Sequence, residues 1–325
     1  MKKLVVTAAA LLVLAGCGRE PATPQVDASA AAGTVPRPLN VQDPAVAPSP
    51  PATPPPVCDP RASLRPPAAL PAPGRMPAGT AMAKIAERGR LIVGIDQNAY
   101  LTSYRDPVTG QVVGFEIDLA REIARALLGN PDAIQWRAIT TADRIPVLQR
   151  REVDMVIRTM TATCERMQQV AFSTEYLTSG QRLLVNRGSG IKDFADLAGR
   201  KVCATRGSTS IVTIMKQASK PIAVATDSTL DCLVMLQQGQ VDAVSTVDVL
   251  LLGLAAQDPG TEVVGARISD EPSGVAMPLE TPDLVRFVNG VLDRIRANGT
   301  WTAIYSRWFA GYGPVPAPPP AKYVD

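Results

Sequence analysis

Histidine is absent from all 325 residues. That removes imidazole as a general acid or base, the Ser-His-Asp and Cys-His nucleophile arrangements, and histidine metal sites. No two cysteines stand in CxxC spacing, so a cysteine metal clasp has no support either. Neither a metal nor a cofactor is expected. Aromatic residues are 4% of the chain, and the net charge is +3, too small and too dispersed for a nucleic-acid partner. Beyond the N-terminus, no apolar run is long enough to cross a bilayer. What remains is an ordinary globular supply, 46% apolar and 19% charged, in a chain long enough for two domains and a sizeable core.

The N-terminus reads as an address. Lys2 and Lys3 precede the apolar run "LVVTAAALLVLA", which is of signal-peptide length and closes on "LAGC", Leu14 to Cys17. This resembles a lipobox, so residues 1–17 are expected as a lipoprotein signal peptide, with Cys17 acylated as the mature N-terminus. The alternative is an ordinary secretory signal with a chance cysteine. The expected location is extracytoplasmic, lipid-anchored to the cell membrane. Residues 18–79 are rich in Pro, Ala, Thr and Ser, as in "VAPSPPATPPPV". Such composition buries too little apolar surface to offset ordering, and predicts a semi-extended stalk. "CDPRASLRP", from Cys58, interrupts it as a candidate docked piece, and residues 313–325 form a second Pro-rich tail.

With Cys17 acylated, Cys58, Cys164, Cys203 and Cys232 remain for an oxidising compartment, and four cysteines allow three pairings. Cys203 lies in strand-like "KVCAT" and Cys232 at the start of helical "LDCLVMLQQG". These are near neighbours in a βαβα pattern. Cys203–Cys232 is the favoured pair, leaving Cys58–Cys164 to pin the stalk to the body; buried free thiols are the alternative.

The body alternates strands and helices. "RLIVGI", "AIQWRAI" and "VDMVI" read as strands, while "GFEIDLAREIARALLGNP" carries a helical apolar stripe through Phe115, Leu119, Ile123 and Leu127 and stops at Gly129-Asn130-Pro131. "TTADRIPVLQRRE" is helical only if it starts near Asp143 or Arg144, because Pro146 is tolerated in a first turn. The alternation restarts after "DFADLAG" and continues through "DVLLLGLAAQ". Two such units predict an α/β protein with helix-covered parallel sheets, and ligands at strand carboxyl ends and in the cleft between lobes.

The motifs, taken in order, carry a resemblance. "GRLIVGID", "GQVVGFEIDLAREIA", "RTMTATCERMQQVAFSTEY", "IKDFADLAGRKVCATRGSTS" and "QGQVDAVSTVDVLLL" together resemble the extracytoplasmic solute-binding proteins of polar amino-acid ABC transporters. The Pro-rich stalk, "CDPRASLRP" and "TCER" are similar to those of the glutamate/glutamine-binding lipoproteins of actinobacteria within that family. The resemblance covers nearly all of 88–310. It implies a two-lobe periplasmic-binding-protein-like fold of type II, each lobe a mostly parallel sheet flanked by helices, joined by two hinge strands. The expected division is lobe 1 over 80–178 and 273–312, and lobe 2 over 179–272.

Within "RTMTATCER" the chemistry is specific. A carboxylate leaving water needs a planar double donor and further donors for its other lone pairs. Arg166 supplies the fork, and Thr159 and Thr161, two apart on one face of an extended segment, supply the rest. The resemblance assigns these positions to an α-carboxylate; a surface ion pair of Arg166 with Glu165 or Asp154 is the alternative. From lobe 2, "RGSTS" should contribute Gly207, Ser208 and Thr209 at a helix start. Arg144, in a segment similar to that of acidic amino-acid binders, and Arg158 make a cationic pocket suited to aspartate or glutamate. Asp96 pulls toward a nitrogen-bearing side chain, or holds Arg158 or Arg144 in an ion pair. Tyr100 is expected as an apolar lid or as core. Many relatives place an ammonium-binding Asp where this chain has Val247. Asp248 or Asp96 is the expected substitute; otherwise the ligand lacks an α-ammonium, or binds weakly.

The expected protein is therefore no enzyme. It is a monomeric, lipid-anchored binder of a polar amino acid (glutamate, aspartate, glutamine or asparagine) that serves an ABC permease. The alternative is a sensor lipoprotein reporting ligand to a membrane signalling partner.

Overall fold

The computed structural model describes residues 35–47 and 57–324, so the expected signal peptide and Cys17 lie outside the described residues. The chain divides into Met1–Pro36, of which only Val35 and Pro36 are described, both exposed, and the compact unit Arg37–Asp325.

Strand Leu91–Ile95 is apolar at nearly every position and has neighbours on both sides, as a strand buried on both faces must. Ile134–Ala138 and Met155–Val156 pair with it in parallel. Ala276–Met277 then joins antiparallel and lies between Met155–Val156 and Ala171–Phe172. Helix Phe115–Leu128 covers this first sheet with Phe115, Leu119, Ile123 and Leu127 fully buried, and ends on Gly129 at φ 77°, the left-handed cap that glycine adopts without strain. Trp301 and Phe309, from helix Thr300–Phe309, pack edge-on against Phe115 with ring centroids 6.0 and 5.6 Å away.

The second sheet runs Ile222–Thr226, Lys201–Thr205, Ala243–Val247, Gln181–Asn186, Thr261–Val264; the first three are parallel, and Gln181–Asn186 runs antiparallel to both of its neighbours. Helices Thr209–Met215, Thr229–Gln237 and Asp248–Gln257 alternate with its strands. Two strands connect the lobes: Leu177–Ser179 leaves the first, Glu271–Ser273 returns, and they pair antiparallel with Glu271 opposite Ser179 and Ser273 opposite Leu177. Each lobe is thus an α/β layer structure, and the carboxyl ends of the parallel strands of both face one cleft.

The cysteines pair as Cys58–Cys164 and Cys203–Cys232, with Cα atoms 5.6 and 5.5 Å apart. Two pieces of the region expected as a stalk lie on the body. Gln42 exchanges backbone hydrogen bonds of 2.9 Å with Ala225 on the open edge of the second sheet, and Asp43 accepts from Lys201 (2.6 Å) and Arg37 (2.7 Å). Further along, Ala62–Leu64 pairs in parallel with Lys322–Val324 from the tail, and the Ser63 hydroxyl donates to the Phe172 carbonyl. The composition argument counted apolar side chains only. These pieces dock through backbone groups at an open sheet edge, ion pairs and a disulfide, with a few apolar side chains, Val41, Ala45, Ala62 and Leu64, packed on the body.

Candidate functional site

Three arginines of the first lobe reach the cleft. Arg144 opens the short helix Arg144–Gln149, and Pro146 sits in its first turn, where the missing N–H costs nothing. Arg158 follows strand Met155–Val156, and Arg166 opens a 3-10 turn just past Cys164. Their surroundings differ. The guanidinium of Arg158 pairs with Asp96 at 2.6 Å and donates to the Thr141 hydroxyl and the Ile139 carbonyl. Arg144 is buried and donates only to carbonyl oxygens: Thr141 at 2.9 Å, Gly207 at 3.2 Å and, more weakly, Arg158 at 3.4 Å. Arg166 donates to the carbonyls of Thr161 (2.8 Å) and Gly207 (3.1 Å). Among the described residues, neither Arg144 nor Arg166 forms an ion pair. Burial, with Arg166 and Arg158 alongside, holds Arg144 well below the usual guanidinium range. Burial also lowers Arg166, against the pull of Glu271 and Glu165. Both cations are short of negative charge.

The second lobe closes over them. Gly207, at φ 74°, presents its carbonyl to both arginines, and a Cβ there would meet the Ala142 Cα at 3.0 Å. At the other rim, a Cβ on Gly253 would stand 2.3 Å from the Tyr100 carbonyl oxygen. Glycine is required at both points for the lobes to approach this closely. Between them lies a cavity of about 30 Å³ lined by Arg144, Arg158, Thr159, Thr161, Arg166, Ser208, Thr209, Val247 and neighbours. That is room for about two waters. An amino acid needs an opening of the lobes and a shift of Arg144 or Arg166 off the Gly207 carbonyl. A larger cavity of about 410 Å³ adjoins it, shares Arg158, and carries Asp96, Asp143 and Asp227.

The structure brings Arg144, Arg158, Thr159, Thr161, Arg166, Ser208 and Thr209 to one cavity, with the Gly207 carbonyl at its rim. Two expectations change, at Thr159 and Asp248, while Ser208, Asp96 and Tyr100 fall on readings already open. Thr159 is not extended but at φ 43°, an uncommon conformation for a β-branched residue. The buried Glu116 carboxylate holds it there, accepting from its N–H and its hydroxyl. Thr159 and Thr161 therefore do not share one face. The Ser208 hydroxyl caps helix Thr209–Met215, accepting from the Ile211 N–H. Asp248 does not line the cavity: its carboxylate pairs with Arg267 at 2.5 Å, whereas Val247 faces the space. Asp96 is committed to Arg158 and to the Asn98 N–H. Tyr100 packs on Tyr104, ring centroids 4.8 Å apart, and lines a neighbouring gap with Leu250 and Leu254.

The sequence reading missed Glu271. It lies in the returning hinge strand, 3% exposed, and its Oε2 accepts the hydroxyls of Thr161 (2.5 Å) and Thr209 (2.7 Å). The available signal was faint: an acid next to Asp270, just ahead of the apolar run "GVAM". Glu116 carried a similar signal, an acid at the start of the apolar helix "GFEIDLA".

Residues 91–311 match the model of the bacterial extracellular solute-binding proteins, family 3. The chain is similar to the ABC transporter glutamine-binding protein GlnH of Bacillus subtilis (strain 168), at 33% identity over 70% of this chain and 84% of that protein. It is also similar to the glutamate/aspartate import solute-binding protein of Escherichia coli (strain K12), at 30% identity over 73% of this chain and 82% of the other. Among solved structures, a mutant of ArgBP from T. maritima superposes with a TM-score of 0.67 at 31% identity, covering 71% of this chain and all of that one.

Proposed function

The chain belongs to the bacterial extracellular solute-binding proteins, family 3, and from that membership we propose that it captures a polar amino acid between its lobes and delivers it to an ABC permease. The observation that carries the reading is the pair Arg144 and Arg166. Two guanidiniums without an ion pair converge from the first lobe on one carbonyl of the second. A carboxylate that replaced that carbonyl would supply the charge both lack and hold the lobes together, which couples capture to closure. Arg166, with the Thr161 and Thr209 backbone beside it, takes the α-carboxylate. Arg158 is already neutralised by Asp96, so Arg144 is left to read a side-chain carboxylate, and the preferred ligand is glutamate or aspartate. The "LAGC" sequence supports acylation at Cys17 and a place on the outer face of the membrane.

A thermal-shift screen over amino acids tests capture, since a ligand at a hundred times its dissociation constant adds about 2.7 kcal/mol. Calorimetric titration with glutamate, aspartate, glutamine and asparagine then tests the side chain. A charge-assisted bond predicts about tenfold tighter binding of each acid than of its amide. Equal binding of acid and amide would remove the acidic assignment, and no shift with any amino acid would remove the reading itself.

A further inference from the structure

Val247 leaves the cavity without the side-chain carboxylate that an α-ammonium calls for, and the neighbouring acids are engaged elsewhere: Asp248 with Arg267, Asp96 with Arg158. Glu271 is placed differently. It sits behind the cavity wall on the returning hinge strand, and one of its oxygens takes the hydroxyl hydrogens of two residues that form that wall, Thr161 from the first lobe and Thr209 from the second. Its other oxygen accepts from the Ser269 hydroxyl. A threonine oxygen that has given its hydrogen away has only lone pairs left to offer. Two acceptor oxygens, one per lobe and polarised by a common carboxyl group, thus border a space that three guanidiniums and further hydroxyls also line. Glu116 treats Thr159 in the same manner, but all of its donors, Thr159 and Tyr176, belong to the first lobe. Among the described residues only Glu271 joins hydroxyls across the cleft, so its arrangement is completed when the lobes close.

Resting on the reading of the cleft as an amino-acid site, we propose that Glu271 is the specificity-determining positioning residue for the ligand's α-ammonium, acting through the hydroxyls of Thr161 and Thr209. The carboxyl group does not touch the ligand. It fixes both hydroxyls as acceptors and supplies negative charge one hydrogen bond away, in place of a direct carboxylate. Discrimination between an α-amino acid and its desamino counterpart is then built at the hinge, and it is complete only in the closed form.

Calorimetry with two ligand pairs tests this: L-glutamate against glutarate, and L-glutamine against 4-carbamoylbutyrate. Each is titrated into the wild type, Glu271→Gln and Thr161→Val, with folding checked by thermal melting. The wild type should prefer the amino member of at least one pair by about tenfold or more. Glu271→Gln should bind the amino member about tenfold more weakly and leave the desamino member unchanged or tighter, collapsing the ratio. Thr161→Val, which keeps the hinge carboxyl, should reduce the same ratio even if Glu271→Gln does not fold. A merely structural role would weaken both members equally and leave the ratio intact, and that result overturns the proposal while the amino-acid reading stands. If the wild type binds none of the four probes and no amino acid shifts its melting temperature, the amino-acid reading falls and this proposal with it.

Discussion

Arg61 and Asp270 form an ion pair, 2.6 Å between Nη2 and Oδ1, across the hinge from one lobe to the other. Arg61 is fixed to the first lobe through Cys58–Cys164 and the hydrogen bonds of Ser63, and its Nε holds Glu175 at the first-lobe end of the outgoing hinge strand. Asp270 stands at the second-lobe end of the returning one. The pair is made in the closed arrangement, so Arg61→Gln and Asp270→Asn should each shift the ligand-free protein toward open. Arg61 is half-buried and Asp270 exposed, which limits the effect to about two- to fivefold weaker ligand binding, less at high salt. Small-angle scattering of the ligand-free variants, with calorimetry of the best ligand, measures both. Unchanged scattering and affinity would show that the pair does not act on the hinge.

Arg166→Ala should weaken binding by roughly 3–5 kcal/mol, hundreds- to thousands-fold, because it leaves a desolvated carboxylate unpaired. Arg166→Lys should recover little, since one ammonium does not reproduce two parallel bonds. Arg144→Gln should instead abolish the preference for acid over amide and leave amide binding within a few fold. Calorimetric affinities within threefold of wild type for the Arg166 variants would move the clamp elsewhere.

Glu116 should matter to stability more than to affinity. Its Oε1 accepts from the Thr159 N–H and from the Thr159 and Tyr176 hydroxyls, so Glu116→Ala leaves several buried donors unpaired, at a cost of at least about 2 kcal/mol. Glu116→Gln keeps an acceptor and should cost less. Burial raises this acid above its usual range, against the opposing bonds from Tyr176 and Thr159 and the charge of Arg158. The folded state therefore favours the protonated acid, and that contribution is lost as pH rises from the unfolded value through the folded one. Urea melts should show the deficit of Glu116→Gln shrinking between pH 4 and pH 8; a deficit that grows would reverse the sign.

The N-terminal arm should come away from the second lobe in acid. Burial tends to raise Asp43, but the hydrogen bonds from Lys201 and Arg37 outweigh it and hold the carboxyl below its ordinary 3.8. A lowered acid contributes above its unfolded value and loses that contribution as pH falls through the folded one. Hydrogen exchange at the Gln42 and Ala45 amides, which donate to Ala225 and Ala223, should therefore lose protection below about pH 4 relative to the second-lobe core. Asp43→Asn should show the same loss at neutral pH. Full protection of both amides in the variant would mean that the backbone pairing alone holds the arm.

The sheets were legible in the sequence because each strand and helix advertises its own period; the run "RLIVGI" and the stripe through Phe115, Leu119, Ile123 and Leu127 needed no partner to be read. Arg166 stood out because a fork beside two threonines suits a carboxylate, but Arg144 and Arg158, and the choice of carboxylate over a surface ion pair, came from the resemblance. What was not legible depended on distant partners. The direction of Asp248 is set by Arg267, and the left-handed turn at Thr159 by Glu116. The docking of 37–45 depends on an open edge at Ile222–Thr226, which no property of "RPLNVQDPA" reveals. Glu271 escaped because its partners come from two lobes and meet only in the closed cleft.

The order of strands in the first sheet sets an order of assembly. Ala276–Met277 lies between Met155–Val156 and Ala171–Phe172, so a position inside that sheet is filled by a strand that leaves the ribosome after the whole second lobe. The second sheet draws all its strands from one uninterrupted stretch, Gln181 to Val264. A chain emerging from its N-terminus can therefore complete the later-encoded lobe while the earlier one still has a slot open between two strands. Arg144, Arg158 and Arg166 are all synthesised before that slot is closed, and Glu271 arrives just ahead of the strand that closes it. The three arginines and Glu271 are thus joined to a complete first sheet only after every strand of the second has been made.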